Sequence, residues 1–126
     1  MKIVVTGMGV ISPLGNSVES FWSAVCRGTS AIRTITRFPL KDFTFQKAGE
    51  IVDFAPPAGL AVQVGDADLS TRYMVAAAAQ AVEQAHLADT PDTAVVLSTN
   101  FGGVGSAEPF LAWALGNTAA PAGSFE

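Results

Sequence analysis

Cysteine and histidine are nearly absent from this chain of 126 residues. Cys26 is its one cysteine and His86 its one histidine, so an internal disulfide framework and a zinc site built from several cysteines are both excluded. A metal centre would need carboxylate ligands, and the acidic residues are scattered along the sequence. We therefore expect no metal and no other cofactor.

Charge is scarce as well. Charged residues make up 14% of the chain, against about 25% in an average soluble domain, while hydrophobic residues make up 49%. The length suits one domain, but a small free-standing domain needs polar residues to cover its surface. The shortage predicts either a largely neutral surface or a surface that other polypeptide covers, and we favour a piece of something larger.

Basic clusters and long apolar runs are also missing. Seven Lys and Arg against eleven Asp and Glu give a net charge of −4, which argues against a nucleic-acid surface and against a polybasic patch for anionic membranes. No segment reaches the roughly 20 apolar residues that span a bilayer. The apolar N-terminal stretch is broken at Gly7, Gly9 and Pro13, so it does not form a secretory signal. We expect a cytoplasmic protein.

A strand, a loop and a helix are predicted at the start of the chain. Ile3–Thr6 is a short β-branched run typical of strands buried on both faces, and Gly7–Gly15 is a loop rich in turn residues. Asn16 is the predicted helix N-cap, with Glu19 in the capping-box position. Gly28 is placed to end the helix in a left-handed cap. The apolar face of this helix comprises Val18, Phe21, Trp22, Val25 and Cys26.

The middle of the chain contains a second predicted helix. Residues 34–68 have apolar anchors without sustained periodicity, and we predict an irregular connection there with a short strand near Ala48–Val52. Ser70 is the predicted N-cap of a helix that runs to about Leu87. Its interior is rich in alanine, which predicts close packing on most sides.

A second strand and a third helix follow. Ala94–Ser98 is another strand of the buried type, and Thr99–Gly105 is a tight glycine loop. Pro109 suits the first turn of a helix that ends near Gly116. Strands and helices in this order predict a layered α/β fold with at least partly parallel strands.

The first glycine loop matches part of a dinucleotide-binding motif. Gly7 and Gly9 fit the first two positions of G-x-G-x-x-G, but Ser12 stands where the third glycine belongs. The helix starts late, near Asn16, and no strand ending in an acidic residue follows about 20 residues later. The sequence favours glycines that allow tight turns and close backbone approach. A nicotinamide oxidoreductase is the weakest alternative.

Cys26 and His86 are weak candidates for catalysis. A nucleophilic thiol needs a helix N-terminus or a cationic neighbour, whereas Cys26 is at the C-terminal end of its predicted helix. We predict that it is a buried structural cysteine. His86 lies near the end of the long helix, where we expect exposure to solvent, and nothing nearby in the sequence makes it a base.

The motif VVTGMGVISPLG at Val4–Gly15 closely resembles the opening of β-ketoacyl-acyl carrier protein synthases. The resemblance continues in the same order and spacing over nearly the whole chain. The opening motif is specific, and the later pieces are individually weak but jointly persuasive. These later pieces are Phe21-Trp22, Gly28-Thr29-Ser30, Phe38, Ala48-Gly49-Glu50-Ile51, Asp53-Phe54, Arg72 with the alanine-rich helix, and Phe101-Gly102-Gly103.

The resemblance implies a thiolase-like layered α/β fold that usually dimerises. Residues 1–126 would form the first part of its N-terminal half. It also implies decarboxylative Claisen condensation of acyl and malonyl thioesters on acyl carrier protein, in fatty-acid or polyketide biosynthesis. In that family a cysteine takes the acyl group and two histidines stabilise the enolate.

The sequence departs from the family's pattern at the catalytic residues. The family's nucleophile lies in a Cys-Ser-Ser/Thr-Gly-type segment downstream of the glycine loop, and no such segment occurs before Glu126. Cys26 and His86 match neither the nucleophile nor the histidine pair, so no catalytic residue is assigned. We expect an N-terminal segment cut before the active-site cysteine and inactive by itself.

Substrate binding is the one role that the resemblance assigns to residues of this chain. In the synthases, the residue before the Gly-Gly pair lines the tunnel for the growing acyl chain, which points to Phe101, Gly102 and Gly103. For Phe101, an ordinary core aromatic at a strand end is the alternative. For the whole chain, the alternatives are the non-catalytic partner subunit of a synthase heterodimer and a small non-enzymatic interaction module, which the low charge disfavours.

Overall fold

A computed structural model describes residues 2–60, 67–87 and 93–117 of the chain. These residues form three helices and one two-stranded sheet. Within the described ranges, no helix has both the length and the apolar character needed to cross a membrane. The elements are α1 Val18–Cys26, β1 Ile32–Thr34, β2 Lys47–Gly49, α2 Leu69–Gln84 and α3 Val104–Ala114.

The N-cap of α1 is a serine pair and not the predicted asparagine. Ser17 Oγ accepts from the backbone N–H of Ser20 at 3.1 Å, and Ser20 Oγ accepts from the backbone N–H of Ser17 at 3.2 Å. Asn16 instead donates its side-chain amide to the carbonyl of Asp53 at 3.1 Å. The prediction of Asn16 with Glu19 was wrong because the serine pair makes the reciprocal capping box by itself.

The other two helices also begin at a residue other than the one predicted. Asp68 caps α2 by accepting the backbone N–H of Ser70 at 2.8 Å, so Ser70 lies inside the first turn. α3 begins at Val104, and Pro109 lies within it and not in its first turn. Proline costs this helix the hydrogen bond to the carbonyl of Gly105, but its fixed φ is helical, so the helix continues on both sides.

All three helices end in the same left-handed turn. After α1, Gly28 N donates to Val25 O, and the next residue's N–H donates to Ala24 O, which is the Schellman pattern. Gly28 has φ +66°, as predicted, and Gly116 plays the same part after α3 with φ +76°. After α2 the position is held by His86 at φ +50°, so α2 ends before the predicted Leu87.

The sheet is a short antiparallel pair. β2 overlaps the predicted strand Ala48–Val52 at its first two residues, whereas β1 was not predicted from the sequence. The pairing joins two segments separated by the irregular connection between them. The register places Ile32 opposite Gly49, Arg33 opposite Ala48 and Thr34 opposite Lys47.

The two apolar runs Ile3–Thr6 and Ala94–Ser98 are not strands in the described structure. The prediction of these two strands, and of their partly parallel arrangement, was therefore wrong. A strand exists only with a neighbour that exchanges N–H···O bonds with it, and an apolar run does not by itself provide one. The side chains in both runs are exposed, up to 91% at Val96.

The first glycine loop packs on the backbone of α2. A Cβ on Gly9 would lie 1.8 Å from the carbonyl oxygen of Ala77, and a Cβ on Gly7 would lie 2.0 Å from that of Ala81. Only glycine allows this separation, so the predicted close backbone approach is confirmed. α2 was predicted to be buried on most sides; it is half-buried along much of its length, with Ala76 at 2% exposure.

Two glutamines of α2 bind the backbone of the same loop. Gln80 Oε1 accepts from the N–H of Val10 at 3.0 Å, and Gln80 Nε2 donates to the carbonyl of Asn16 at 2.7 Å. Gln84 Oε1 accepts from the N–H of Met8 at 2.6 Å. The loop is thus held at both ends by side chains from one face of α2.

Candidate functional site

The candidate site is the glycine loop that leads into α3. Phe101 is 84% exposed, so its ring is free of close packing by the described residues. Gly102 has φ +58°, a left-handed conformation that favours glycine, and its N–H donates to Thr99 Oγ1 at 3.0 Å. Gly103 is the N-cap of α3 and has no side chain to cap it. The structure therefore presents Phe101 on a sharply turned backbone.

The start of α2 lies against this loop. Ser70 Oγ is 2.6 Å from Asp68 Oδ1 and 3.3 Å from the carbonyl oxygen of Gly102. A Cβ built on Gly103 would lie 3.7 Å from Asp68 Cγ, and one on Gly105 would lie 2.9 Å from Asp68 Oδ2. The N-cap of one helix thus packs on the N-terminal turn of another.

Sequence reasoning missed this contact. It placed Ser70 at a helix start and Phe101, Gly102 and Gly103 in a loop, but did not bring the two together. An acid two residues before a serine signals a helix cap, yet which loop the cap meets is decided by the fold. The structure thus adds Asp68 and Ser70 to the site.

Cys26 is exposed, so the prediction that it is buried was wrong. It shares the apolar face of α1 with Trp22 and Val25, and both of these are exposed as well. On the predicted face Val18 and Phe21 are half-buried, and the buried residue of α1 is Ala24, which the predicted face did not include. Cys26 ends α1, at the opposite end of the helix from the N-terminal position typical of nucleophilic cysteines.

His86 is exposed, as predicted. It occupies the left-handed position after α2, where its backbone N–H donates to Glu83 O at 3.1 Å. Its role in the structure is to end the helix. Across residues 2–60, 67–87 and 93–117, no group of three or more His, Cys, Asp or Glu could hold a metal ion.

A buried carboxylate after β2 was also missed. Glu50 is 8% exposed and accepts from Thr36 Oγ1 at 2.8 Å, Thr36 N at 3.0 Å and Arg37 N at 3.0 Å. The Thr36 hydroxyl above all, with the two backbone N–H groups and the Arg37 charge, holds the pKa of Glu50 below its ordinary value. Such a carboxylate is a weak base near neutral pH, so its role is structural.

Arg37 extends this cluster to α2. Its Nη2 donates to the carbonyl of Ile51 at 3.0 Å and to Tyr73 Oη at 2.9 Å. The Tyr73 ring meets Phe54 edge-on, with 4.8 Å between the ring centroids. Glu50 and Arg37 together therefore hold the β1–β2 region against the same helix that carries Ser70.

Comparison with known proteins gives one consistent result. The model of the family described as "Beta-ketoacyl synthase, N-terminal domain" matches residues 1–112. The chain is 34% identical over 108 residues to 3-oxoacyl-[acyl-carrier-protein] synthase 2 of Coxiella burnetii, covering 82% of this chain and 26% of that protein. It is 35% identical to the Vibrio harveyi protein of the same name, with the same coverage. The chain spans about a quarter of the length of these curated relatives.

A solved structure is similar as well. The structure described as "The ishigamide ketosynthase/chain length factor" matches with a TM-score of 0.70 and 31% identity, over 96% of this chain and 32% of that one. The resemblance seen in the sequence is confirmed by the family match, and the structural similarity confirms a partial thiolase-like α/β fold.

Proposed function

We propose, from the premise that the chain belongs to the beta-ketoacyl synthase family, that it forms the N-terminal part of a 3-oxoacyl-[acyl-carrier-protein] synthase. The observation that carries this proposal is the family match over residues 1–112. The proposed reaction is the decarboxylative Claisen condensation of an acyl thioester with a malonyl thioester on acyl carrier protein. It belongs to fatty-acid or polyketide biosynthesis in the cytoplasm.

The bond-forming chemistry is assigned to polypeptide outside this chain. Condensation needs a thiolate nucleophile and hydrogen-bond donors aimed at the thioester oxygen. Cys26 lies at the C-terminal end of α1, and His86 lies just after the C-terminal end of α2. Neither residue is placed to attack a thioester or to stabilise an enolate, so the proposal places the nucleophile and the enolate-stabilising groups in another part of the synthase.

We assign acyl-chain binding to the loop of Phe101, Gly102 and Gly103. The phenyl ring is apolar and exposed. Contact with an acyl chain removes apolar surface of the ring and of the acyl chain from water. Each methylene buried in this way contributes about 0.8 kcal/mol. The left-handed turn at Gly102 fixes the direction in which the ring leaves the backbone.

The exposed apolar segments support a larger assembly. The side chains of Ile3, Val4 and Val5, and those of Val95, Val96 and Leu97, are all largely exposed. Two such runs in one chain are typical of faces that further polypeptide covers. We propose that the remainder of the synthase fold covers them and that the intact protein is a homodimer.

Activity of the complete gene product tests the proposal. By this we mean the whole polypeptide encoded by the gene that contains this sequence. Incubated with acyl- and malonyl-acyl carrier protein, it should release carbon dioxide and form 3-oxoacyl-acyl carrier protein, which mass spectrometry detects. Lack of both products while the thioesters stay intact contradicts the proposal.

The 126-residue chain is the control for the assignment of the nucleophile. It should form no product by itself, and Cys26→Ser should leave acyl loading of the complete gene product unchanged. Product formed by the 126-residue chain, or loading abolished by Cys26→Ser, contradicts the placement of the chemistry outside these residues.

A non-catalytic partner subunit is the second candidate. It is favoured by the similar solved structure, whose description names a chain length factor beside a ketosynthase. Acyl loading distinguishes the two: a synthase forms a covalent acyl-enzyme by itself, whereas a partner subunit forms none and raises the activity of another subunit.

A further inference from the structure

The loop that carries Phe101 is held by two polar residues that belong to another helix. Asp68 and Ser70 are half-buried, and both touch the loop within the first turns of α2 and α3. Phe101, in contrast, is exposed. The orientation of its ring therefore depends on the backbone that follows it, and that backbone rests on Asp68 and Ser70.

The Ser70 hydroxyl has two acceptors and one hydrogen. Its oxygen is 2.6 Å from Asp68 Oδ1 and 3.3 Å from the carbonyl oxygen of Gly102. A hydroxyl can share its hydrogen between two acceptors, and the shorter distance shows that Asp68 takes the larger part. Because Asp68 also caps the helix by accepting Ser70 N at 2.8 Å, it fixes the position from which Ser70 reaches the loop.

Packing brings Asp68 against the loop independently of this hydrogen bond. A methyl group on Gly105 would lie 2.9 Å from Asp68 Oδ2, and one on Gly103 would lie 3.7 Å from Asp68 Cγ. The absence of a side chain at Gly105 is therefore what allows the carboxylate to lie there. Two different contacts, one polar and one steric, position the same short segment.

We propose that Asp68 and Ser70 are a positioning pair that sets the direction of Phe101 and, through it, the acyl-chain selectivity of the synthase. The selectivity part rests on the proposed function. The Gly102 carbonyl belongs to the peptide that joins Gly102 to Gly103, one Cα after the Phe101–Gly102 peptide, so the contact with Ser70 restricts the backbone from which Phe101 projects. Neither residue of the pair needs to touch the substrate.

Hydrogen exchange in the complete gene product tests the positioning. Ser70→Ala should speed exchange of the peptide that covers residues 99–105 by up to about fivefold, since the net worth of one hydrogen bond is about 1 kcal/mol. Alanine is a good helix former, so α2 should remain intact. Ser70→Thr keeps the hydroxyl and should restore the exchange rate of the parent.

Gly105→Ala perturbs the contact between Asp68 and α3 without changing Asp68 or Ser70. Its methyl group displaces the Asp68 carboxylate, so exchange of the same peptide should also rise. Ser17→Ala is the matched control, because Ser17 caps α1 in the same way and should raise exchange near α1 alone. Exchange of residues 99–105 unchanged in both Ser70→Ala and Gly105→Ala overturns the proposal.

Acyl selectivity is measured on the same variants. Ser70→Ala should reduce the preference between acyl chains that differ by two carbons, with little change in thermal stability, and Ser70→Thr should restore it. A parent-like preference in Ser70→Ala, despite faster exchange, overturns the link to selectivity. A parent protein that transfers no acyl group contradicts the proposed function alone, because the exchange measurement does not depend on catalysis.

Discussion

Replacing Phe101 by alanine distinguishes a ring that contacts the acyl chain from a ring that packs in a core. At 84% exposure, the side chain leaves no cavity among the described residues when it is removed. Substitutions at exposed positions usually change stability by less than about 0.5 kcal/mol, whereas a phenylalanine buried in a core costs about 3–5 kcal/mol. Because the proposed acyl tunnel leaves open space beside the ring, we expect the free energy of unfolding of the complete gene product to fall by no more than about 0.5 kcal/mol.

Removing the phenyl ring lengthens the space available to the acyl chain, and this changes the chain-length selectivity. Each methylene that moves from water into an apolar tunnel contributes about 0.8 kcal/mol, which is about a fourfold change in affinity. An acyl chain two carbons longer than the preferred one should therefore gain about fifteenfold in relative kcat/KM when Phe101 is alanine.

Competition between acyl-acyl carrier proteins of successive lengths measures this ratio, and chemical denaturation measures the stability of the same variant. Phe45→Ala is the matched control, because Phe45 is 86% exposed and lies in the connection before β2. It should change neither the ratio nor the stability. A loss of about 3 kcal/mol or more in Phe101→Ala, with an unchanged chain-length profile, refutes the reasoning.

Three further substitutions test the local structure. Gly9→Ala should destabilise the protein by about 1–3 kcal/mol or more in chemical denaturation, because its Cβ would lie 1.8 Å from a carbonyl oxygen of α2. His86→Gly should raise stability by up to about 1 kcal/mol in thermal unfolding, because glycine adopts a positive φ without the steric penalty. Glu50→Gln should reduce the amount by which the free energy of unfolding falls as the pH is lowered below about 4.5. The pKa of Glu50 is lowered in the folded state, so its contribution is present above the ordinary value of 4.5 and is lost as the pH falls through the lowered pKa.

Each of these substitutions has a control. A Cβ on Gly59 would meet open space, so Gly59→Ala should leave stability nearly unchanged, and an equal result for Gly9→Ala contradicts the close approach. His86→Ala removes the imidazole ring but keeps a Cβ at the positive φ. If His86→Ala is stabilised as much as His86→Gly, the gain comes from loss of the ring and not from relief of backbone strain. Glu19→Gln alters an exposed carboxylate in α1, and an acid profile of Glu50→Gln that matches it contradicts the role of Glu50.

Helices were predictable from the sequence because their signals are local. The apolar spacing of α1, the alanine content of α2 and the glycine after α1 all lie within a few residues of the element they specify. The start residues were less predictable, since several neighbouring side chains compete for the same free N–H groups. Ser17 prevailed over Asn16, and Asp68 over Ser70.

Strands and the site contacts depended on distant residues. Ile3–Thr6 and Ala94–Ser98 have the composition of strands, but composition names no pairing partner, and neither run has a strand beside it in the described structure. The Ser70 contact with Gly102 joins residues 32 positions apart. The resemblance to a family predicts an acyl-binding role for Phe101, and the fold shows which residues contact the glycines that follow it.

The attachment of the first loop to α2 has a consequence for biosynthesis on the ribosome. Val10 is bound by Gln80, 70 residues later, and at about 5–20 residues per second that separation takes about 4–14 s to translate. During this interval the loop has no helix to pack on. Slower translation ahead of α2 prolongs the exposure, so codon choice in that stretch should affect how much nascent chain is captured by chaperones.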